Sequence, residues 1–239
     1  MNNGELQINQ TKPEKPSLWA ILWKPVETFE RIRENPRIFG ALVIVTLLFV
    51  IGASLNALSV TPEQIANELG QEFLLDLQGD LTGDELMTGS ILSGIIVVTA
   101  VFSSLFTPVL SILISSAILL LIAKIVRSEV SFKQLFSMNT YMFLLTGLSA
   151  LINGLAAFLL KSPNVFVTNL GSIIPSEGAL NGLLTNLDLF NIWGVILTAL
   201  GLNIVASFSK KLSWSISIIF FIIGVIFSMI GAAIDAAIL

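Results

Sequence analysis

Residues 91–123 read ILSGIIVVTAVFSSLFTPVLSILISSAILLLIA, with no ionisable side chain from Ile91 to Ala123 and Lys124 immediately after. A helix of that length extends roughly 50 Å at about 1.5 Å per residue, against roughly 30 Å of bilayer hydrocarbon. The stretch is therefore expected to cross a membrane while tilting, projecting or bending. Pro108 stands near its middle, where it removes an amide donor and leaves the Ser104 carbonyl without its usual partner, so the kink is expected there. Two re-entrant halves would invert the sidedness of everything downstream.

Four more apolar stretches follow the same rule: Ile38 to Val60, Met138 to Leu160, Asn191 to Phe208 and Leu212 to Ile234. The expected fold class is an all-α integral membrane protein with five transmembrane helices. Charge placement orients it. Lys12, Lys15, Lys24, Arg31, Arg33 and Arg37 precede the first stretch; Lys124, Arg127 and Lys133 lie between the second and third; Lys210 and Lys211 separate the last two. The alternate gaps hold no basic residue in 61–90 and only Lys161 in 161–190. Basic residues are retained on the cytoplasmic side. Residues 1–37, 124–137 and 209–211 are therefore expected in the cytoplasm, and 61–90, 161–190 and Leu239 outside the cell membrane.

Composition agrees. Mean hydropathy is +0.89, and charged residues make up 12% where a soluble domain has about 25%. Histidine and cysteine are both absent, which removes the commonest general base, disulfides and the usual transition-metal ligands. The first apolar run starts near residue 38 and is too long for a cleavable signal core, so it reads as a permanent helix.

Residues 1–16 are polar, with Pro13 and Pro16, and read as a disordered cytoplasmic tail; 17–36 read as an interfacial amphipathic helix and 37–239 as the five-helix domain. In the second segment Trp19, Leu22, Trp23, Val26, Phe29 and Ile32 recur at three- and four-residue steps opposite Glu27, Glu30, Arg31, Arg33 and Glu34. Pro25 suits the first position of a helix 25–34, and Pro36 ends it. Such a helix lies in the membrane interface with tryptophans at headgroup depth, packs as a lid on the bundle floor, or does both.

Between the first two stretches, Thr61-Pro62-Glu63-Gln64 carries an N-cap, an N1 proline and a capping-box glutamine, which predicts an external helix. Ile65, Leu69, Phe73 and Leu77 would line one side and Glu68, Glu72 and Asp76 a neighbouring face. The acids do not make a calcium loop: counted from Asp76, Leu81 falls where the glycine belongs and Met87 where the bidentate glutamate belongs. The gap 161–190 is apolar for a loop and is expected to fold back over the bundle or the outer headgroups; Pro163, Pro175 and its glycines argue against a sixth crossing.

Chemistry is sparse. The five stretches hold no internal ionisable residue except Asp235, at the outer end of the last, which argues against an ion-coupled transporter. Thr99, Ser103, Thr107, Ser111 and Ser115 form a row at four-residue steps, which either lines a polar groove or serves helix packing. Gly224, Ser228 and Ala232, continued by Ala236, make a small-residue stripe, as do Gly52, Ala53, Asn56 and Ala57. These are contact faces within one chain or between copies in a homo-oligomer. No phosphate loop, zinc spacing or activated nucleophile is present, so no enzyme activity, cofactor, metal or nucleic-acid partner is expected.

Trp19-Ala-Ile-Leu-Trp23-Lys-Pro25 with Thr28-Phe29 and Ile32-Arg33-Glu34-Asn-Pro36, the segment Ala123-Lys-Ile-Val-Arg-Ser-Glu-Val-Ser-Phe132-Lys-Gln-Leu-Phe136, and Leu187-Asp-Leu-Phe190-Asn-Ile-Trp193 leading to Leu200-Gly201 resemble the bacterial branch of the Yip domain family, named for Ypt-interacting proteins. The resemblance covers roughly 17–235. One departure is that Tyr141 is followed by Met142, where family members commonly carry proline. The resemblance implies a five-helix membrane domain with a cytoplasmic N-terminus and no catalytic residues. Eukaryotic relatives work with small GTPases in membrane traffic, and some bacterial members look like accessory proteins of ABC exporters. The expected function is a non-enzymatic accessory membrane protein bound to a partner such as an ABC exporter subunit. A small permease for an uncharged or amphipathic solute and a membrane-shaping or trafficking factor are the alternatives.

Overall fold

The computed structural model describes residues 15–61, 64, 85–163 and 165–238. These form seven α-helices: α1 Pro25–Glu34, α2 Phe39–Ala57, α3 Glu85–Ile125, α4 Phe132–Leu160, α5 Gly178–Asn186, α6 Leu189–Ile204 and α7 Lys210–Ile238. A 3-10 turn, Trp19–Leu22, precedes α1, and another, Leu170–Ser172, precedes α5. Helices α2, α4 and α7 and the part of α3 from Ser93 to Ile125 are long and apolar enough to cross a membrane; α6 is a shorter apolar helix. The protein is an all-helical membrane protein on these features.

Local chemistry sets the ends. Pro25 opens α1, as its fixed φ and missing amide suit a first helical position. Ser131 caps α4: its hydroxyl accepts from the Gln134 amide at 3.3 Å, and Gln134 Oε1 accepts from the Ser131 amide at 2.9 Å. That capping box starts the helix six residues before the apolar run at Met138 from which the third crossing was drawn. Gln134 also donates through Nε2 to the Arg33 carbonyl at 2.7 Å, tying α4 to the end of α1. The Thr61–Gln64 capping box is present, with the Gln64 amide donating to Thr61 Oγ1 at 3.3 Å and the Thr61 amide to Gln64 Oε1 at 2.9 Å. Ile65, Leu69, Phe73, Leu77 and the acidic stripe beside them lie outside the described residues.

The helices pack in two groups. Helix α2 lies along α4, with α3 against both; α5 and α6 lie along α7, and α6 joins the groups through α4. The first contact is very close. A Cβ on Gly154 would sit 2.2 Å from the Gly52 carbonyl oxygen, and one on Gly52 would sit 2.5 Å from the Ala150 carbonyl oxygen. Small residues permit this approach, which supplies van der Waals contact that lipid-facing side chains do not. Helix α3 runs through Pro108, which is buried on the same face as Ser104, Ile112, Ser116, Leu119 and Ala123.

The chain runs from one end of the bundle to the other five times, and the fourth pass differs from the expected Asn191 to Phe208. Helix α6 ends at Ile204, and residues 205–209 turn tightly: Asn203 Nδ2 donates to the Phe208 carbonyl at 2.7 Å, and Ser207 takes a left-handed backbone with φ 55°. At its other end the pass begins earlier. Gly178 sits beside Ala236, Gly182 against Ser228 and Met229, and Ser217 Oγ donates to the Val195 carbonyl at 2.5 Å. Helices α5 and α6 thus form one antiparallel partner for α7, interrupted at Leu187-Asp188. Part of what reads as an external loop is therefore a piece of the bundle.

At that interruption the bundle buries an ionisable residue that lies outside the five apolar stretches. Asp188 is 5% exposed. Its Oδ1 accepts from the Phe190 and Asn191 amides at 2.7 and 3.3 Å, capping α6, and its Oδ2 accepts from Thr168 Oγ1. The Leu170 amide donates to the Leu187 carbonyl and the Leu189 amide to the Thr168 carbonyl, both at 3.2 Å, so segment 168–170 is bridged to the break. An ionisable side chain does lie inside the bundle, held by an N-cap that an apolar-run search passes over.

Candidate functional site at the basic end

One end of the bundle gathers α1, the α3–α4 connection and the α6–α7 turn, and with them Lys24, Arg31, Arg33, Arg37, Lys124, Arg127, Lys133, Lys210 and Lys211; Lys161 lies at the other end. The three segments are sewn together by side chains donating to carbonyls. Ser128 Oγ donates to Ala206 O at 2.6 Å, Ser137 Oγ to Arg37 O at 2.8 Å, and Tyr141 OH to Pro16 O at 3.1 Å. The hydrophobic core is concentrated here, with Phe29, Ile32, Leu119, Leu135, Met138, Leu197 and Leu202 essentially inaccessible.

Helix α1 and the 3-10 turn before it divide their apolar residues between two tasks. Phe29 and Ile32 are fully buried against the bundle floor, with Phe29 Cε1 only 3.2 Å from where a Cβ on Gly201 would stand. Leu22 is half-buried, while Trp19, Trp23 and Val26 are 43%, 65% and 47% exposed. The six residues grouped from the sequence as one face are therefore a docked edge and a free edge. On the polar side Glu27 accepts from Arg31 at 2.5 Å and approaches Lys24 at 3.6 Å; such exposed pairs contribute little to stability.

Beside α1 opens a groove of about 650 Å³, walled by Arg33, Arg127, Ser128, Glu129 and Gln134 on one side and Val205, Ser207, Phe208 and Leu212 on the other. Arg127 and Ser207, on opposite walls, both have left-handed backbones, with φ of 58° and 55°. Each lies just past the end of a helix, where a left-handed residue commonly closes the last turn. Here the Ser128–Ala206 bond and the Ser128 amide donating to Ala123 O at 2.9 Å hold the two connections together. Ser128 and Ser207 carry no motif of their own; the only sequence signal for the first was its place in the 123–136 segment.

The remaining sequence candidates lie elsewhere. Thr99, Ser103 and Thr107 point away from the bundle, and Ser111 and Ser115 are half-buried. Thr107 Oγ1 donates to Ser103 O at 2.8 Å; Ser115 instead joins Ser116 in accepting from Asn139 Nδ2, at 3.2 and 2.8 Å, on the α3–α4 contact. Gly224, Ser228 and Ala232 face α5, where Ser228 Oγ donates to the Gly182 carbonyl at 3.0 Å. No group of three or more Asp, Glu, His or Cys residues gathers among the described residues.

The family model for the Yip1 domain matches residues 19–232. The chain is 32% identical over 231 residues to the protein named Membrane protein YknW of Bacillus subtilis (strain 168), covering 95% of this chain and 94% of the relative. The chain belongs to the Yip1 domain family. No solved structure matches it. The matched range begins at Trp19 and takes in α1 and both walls of the groove, so the basic end is part of the family domain rather than an appendage.

Proposed function

We propose that this Yip1-domain chain is a non-enzymatic accessory protein that docks on another membrane complex, an ABC-type exporter, using the groove at its basic end. The N-terminus lies in the cytoplasm and the fourth pass, α5 with α6, completes a fifth crossing, in keeping with the alternation of basic residues between the two ends. The observation that carries the reading is the groove itself: a concave surface walled by two helix connections beside a docked helix, at the end of the bundle where the basic residues gather. Affinity capture of the full chain in mild detergent tests it. ATPase and permease subunits of an exporter should co-purify and be identified by mass spectrometry, and charge reversal at Arg127 and Glu129 should reduce their recovery several-fold. Repeated isolation of the chain alone would contradict the proposal.

Trp19, Trp23 and Val26 favour a second role for α1, attachment of its free edge to the headgroup region, where tryptophan is stabilised. Under that reading Trp19→Ala with Trp23→Ala weakens binding of a peptide spanning 17–36 to liposomes, and unchanged binding removes it.

A further inference from the structure

Between the α2–α4 pair and the interruption of the fourth pass lies a cleft of about 350 Å³, reaching from Gly52 and Asn56 to Asp188 and Asn191. That volume falls within the range of sites that hold small ligands. Along α4 it is lined from Gly154 back to Thr146, and Asn153 stands seven residues, roughly 10 Å, before the end of that helix. Asn153 is a rigid part of the wall: its Oδ1 accepts from the Val167 amide at 2.9 Å, and its Nδ2 donates to Thr168 Oγ1 at 2.9 Å.

The other polar groups are only partly used. Asp188, nine-tenths buried, accepts three hydrogen bonds, and among the described residues no lysine or arginine pairs with it. Asn169, also 5% exposed, has its Oδ1 engaged by Ser172 while its Nδ2 has no partner. Asn191 donates through Nδ2 to Asn186 O at 3.3 Å and leaves its Oδ1 free, and the Thr146 hydroxyl, exposed on the α4 side, makes no hydrogen bond. Phe49, Ala53 and Phe166 supply an apolar wall. Asp188 is held by two backbone amides and a hydroxyl and by no cation among the described residues, and the free acceptors in the same cleft favour a hydrogen-bond donor bearing positive charge.

We propose that this cleft binds the ammonium head of an amphiphile, with the charge held by Asp188 and Asn191, a polar neighbour of the amine met by Asn169 and Thr146, and the apolar portion lying against Phe49 and Phe166. An aminolipid headgroup and a free alkylamine share this chemistry, and the test separates them. The full chain in phosphatidylcholine nanodiscs is titrated with dodecylamine and, separately, dodecanol, following the thermal unfolding midpoint. Native mass spectrometry then reads which lipid is retained from nanodiscs mixing phosphatidylethanolamine with phosphatidylcholine and phosphatidylglycerol. The expected result is a saturable shift with dodecylamine and none with dodecanol; retained phosphatidylethanolamine identifies a lipid source, and its absence a free amine. Asp188→Asn keeps an N-cap while removing the charge and should weaken dodecylamine binding at least tenfold. Thr146→Phe, which breaks no hydrogen bond and fills the cleft, should do the same if the first variant fails to fold. Equal binding by a folded variant and the native protein, or equal response to dodecanol, overturns the proposal.

Discussion

Gly154 and Gly52 show how much a single hydrogen atom decides. The α2–α4 contact brings a backbone carbonyl to 2.2 Å from where a Gly154 Cβ would lie. Gly154→Ala should therefore force the helices apart, at about 1–3 kcal/mol, the usual range for an overpacked site. Gly231→Ala meets nothing within 4 Å and should leave the unfolding midpoint in detergent close to native; equal losses for the two would mean that the close crossing is not what the first glycine serves. The stripe Gly52, Ala53, Asn56 and Ala57 was legible because small residues stood together in an apolar run. Gly154 was not, since one of the two glycines on α4 carries no sign of its partner. Asp188 was missed for a different reason: it lies just outside an apolar run, and only the Asn169 bridge and Thr168 bring it inside.

Among the elements, α1 was the most legible and the fourth pass the least. Pro25, Pro36 and the three- and four-residue spacing give α1 both its limits and its apolar side. Which part of that side docks depends on Gly201 and Met138, far along the chain. Phe29→Ala should cost about 3–5 kcal/mol, the range for emptying a fully buried aromatic site, whereas Trp23→Ala should scarcely change stability in detergent. The opposite ranking would place Trp23 in the packed floor. Hydropathy finds only the second half of the fourth pass, because that pass is two helices, of nine and sixteen residues, separated by a polar cap. Neither reaches the roughly 20 residues a crossing needs, and only their shared contact with α7 makes them one pass.

At the scale of the molecule, the proposed five crossings and the proposed orientation stand or fall together, because an odd number of crossings puts the two termini on opposite sides of the membrane. Charge counting is the argument for both: each connection that carries several basic residues lies at the α1 end of the bundle, and basic residues are retained in the cytoplasm. The sequence contains no cysteine, so single probes report without background. Lys210, in the turn after α6, and Ala237, near the end of α7, are both exposed and separate the possibilities. With five crossings, an impermeant thiol reagent applied to intact cells should label Ala237→Cys, and should label Lys210→Cys only after lysis. Labelling of Lys210→Cys in intact cells with protection of Ala237→Cys would mean either that α5 and α6 turn back on the outer side, leaving four crossings, or that the five-crossing bundle is inverted, and either result contradicts the topology proposed for the membrane.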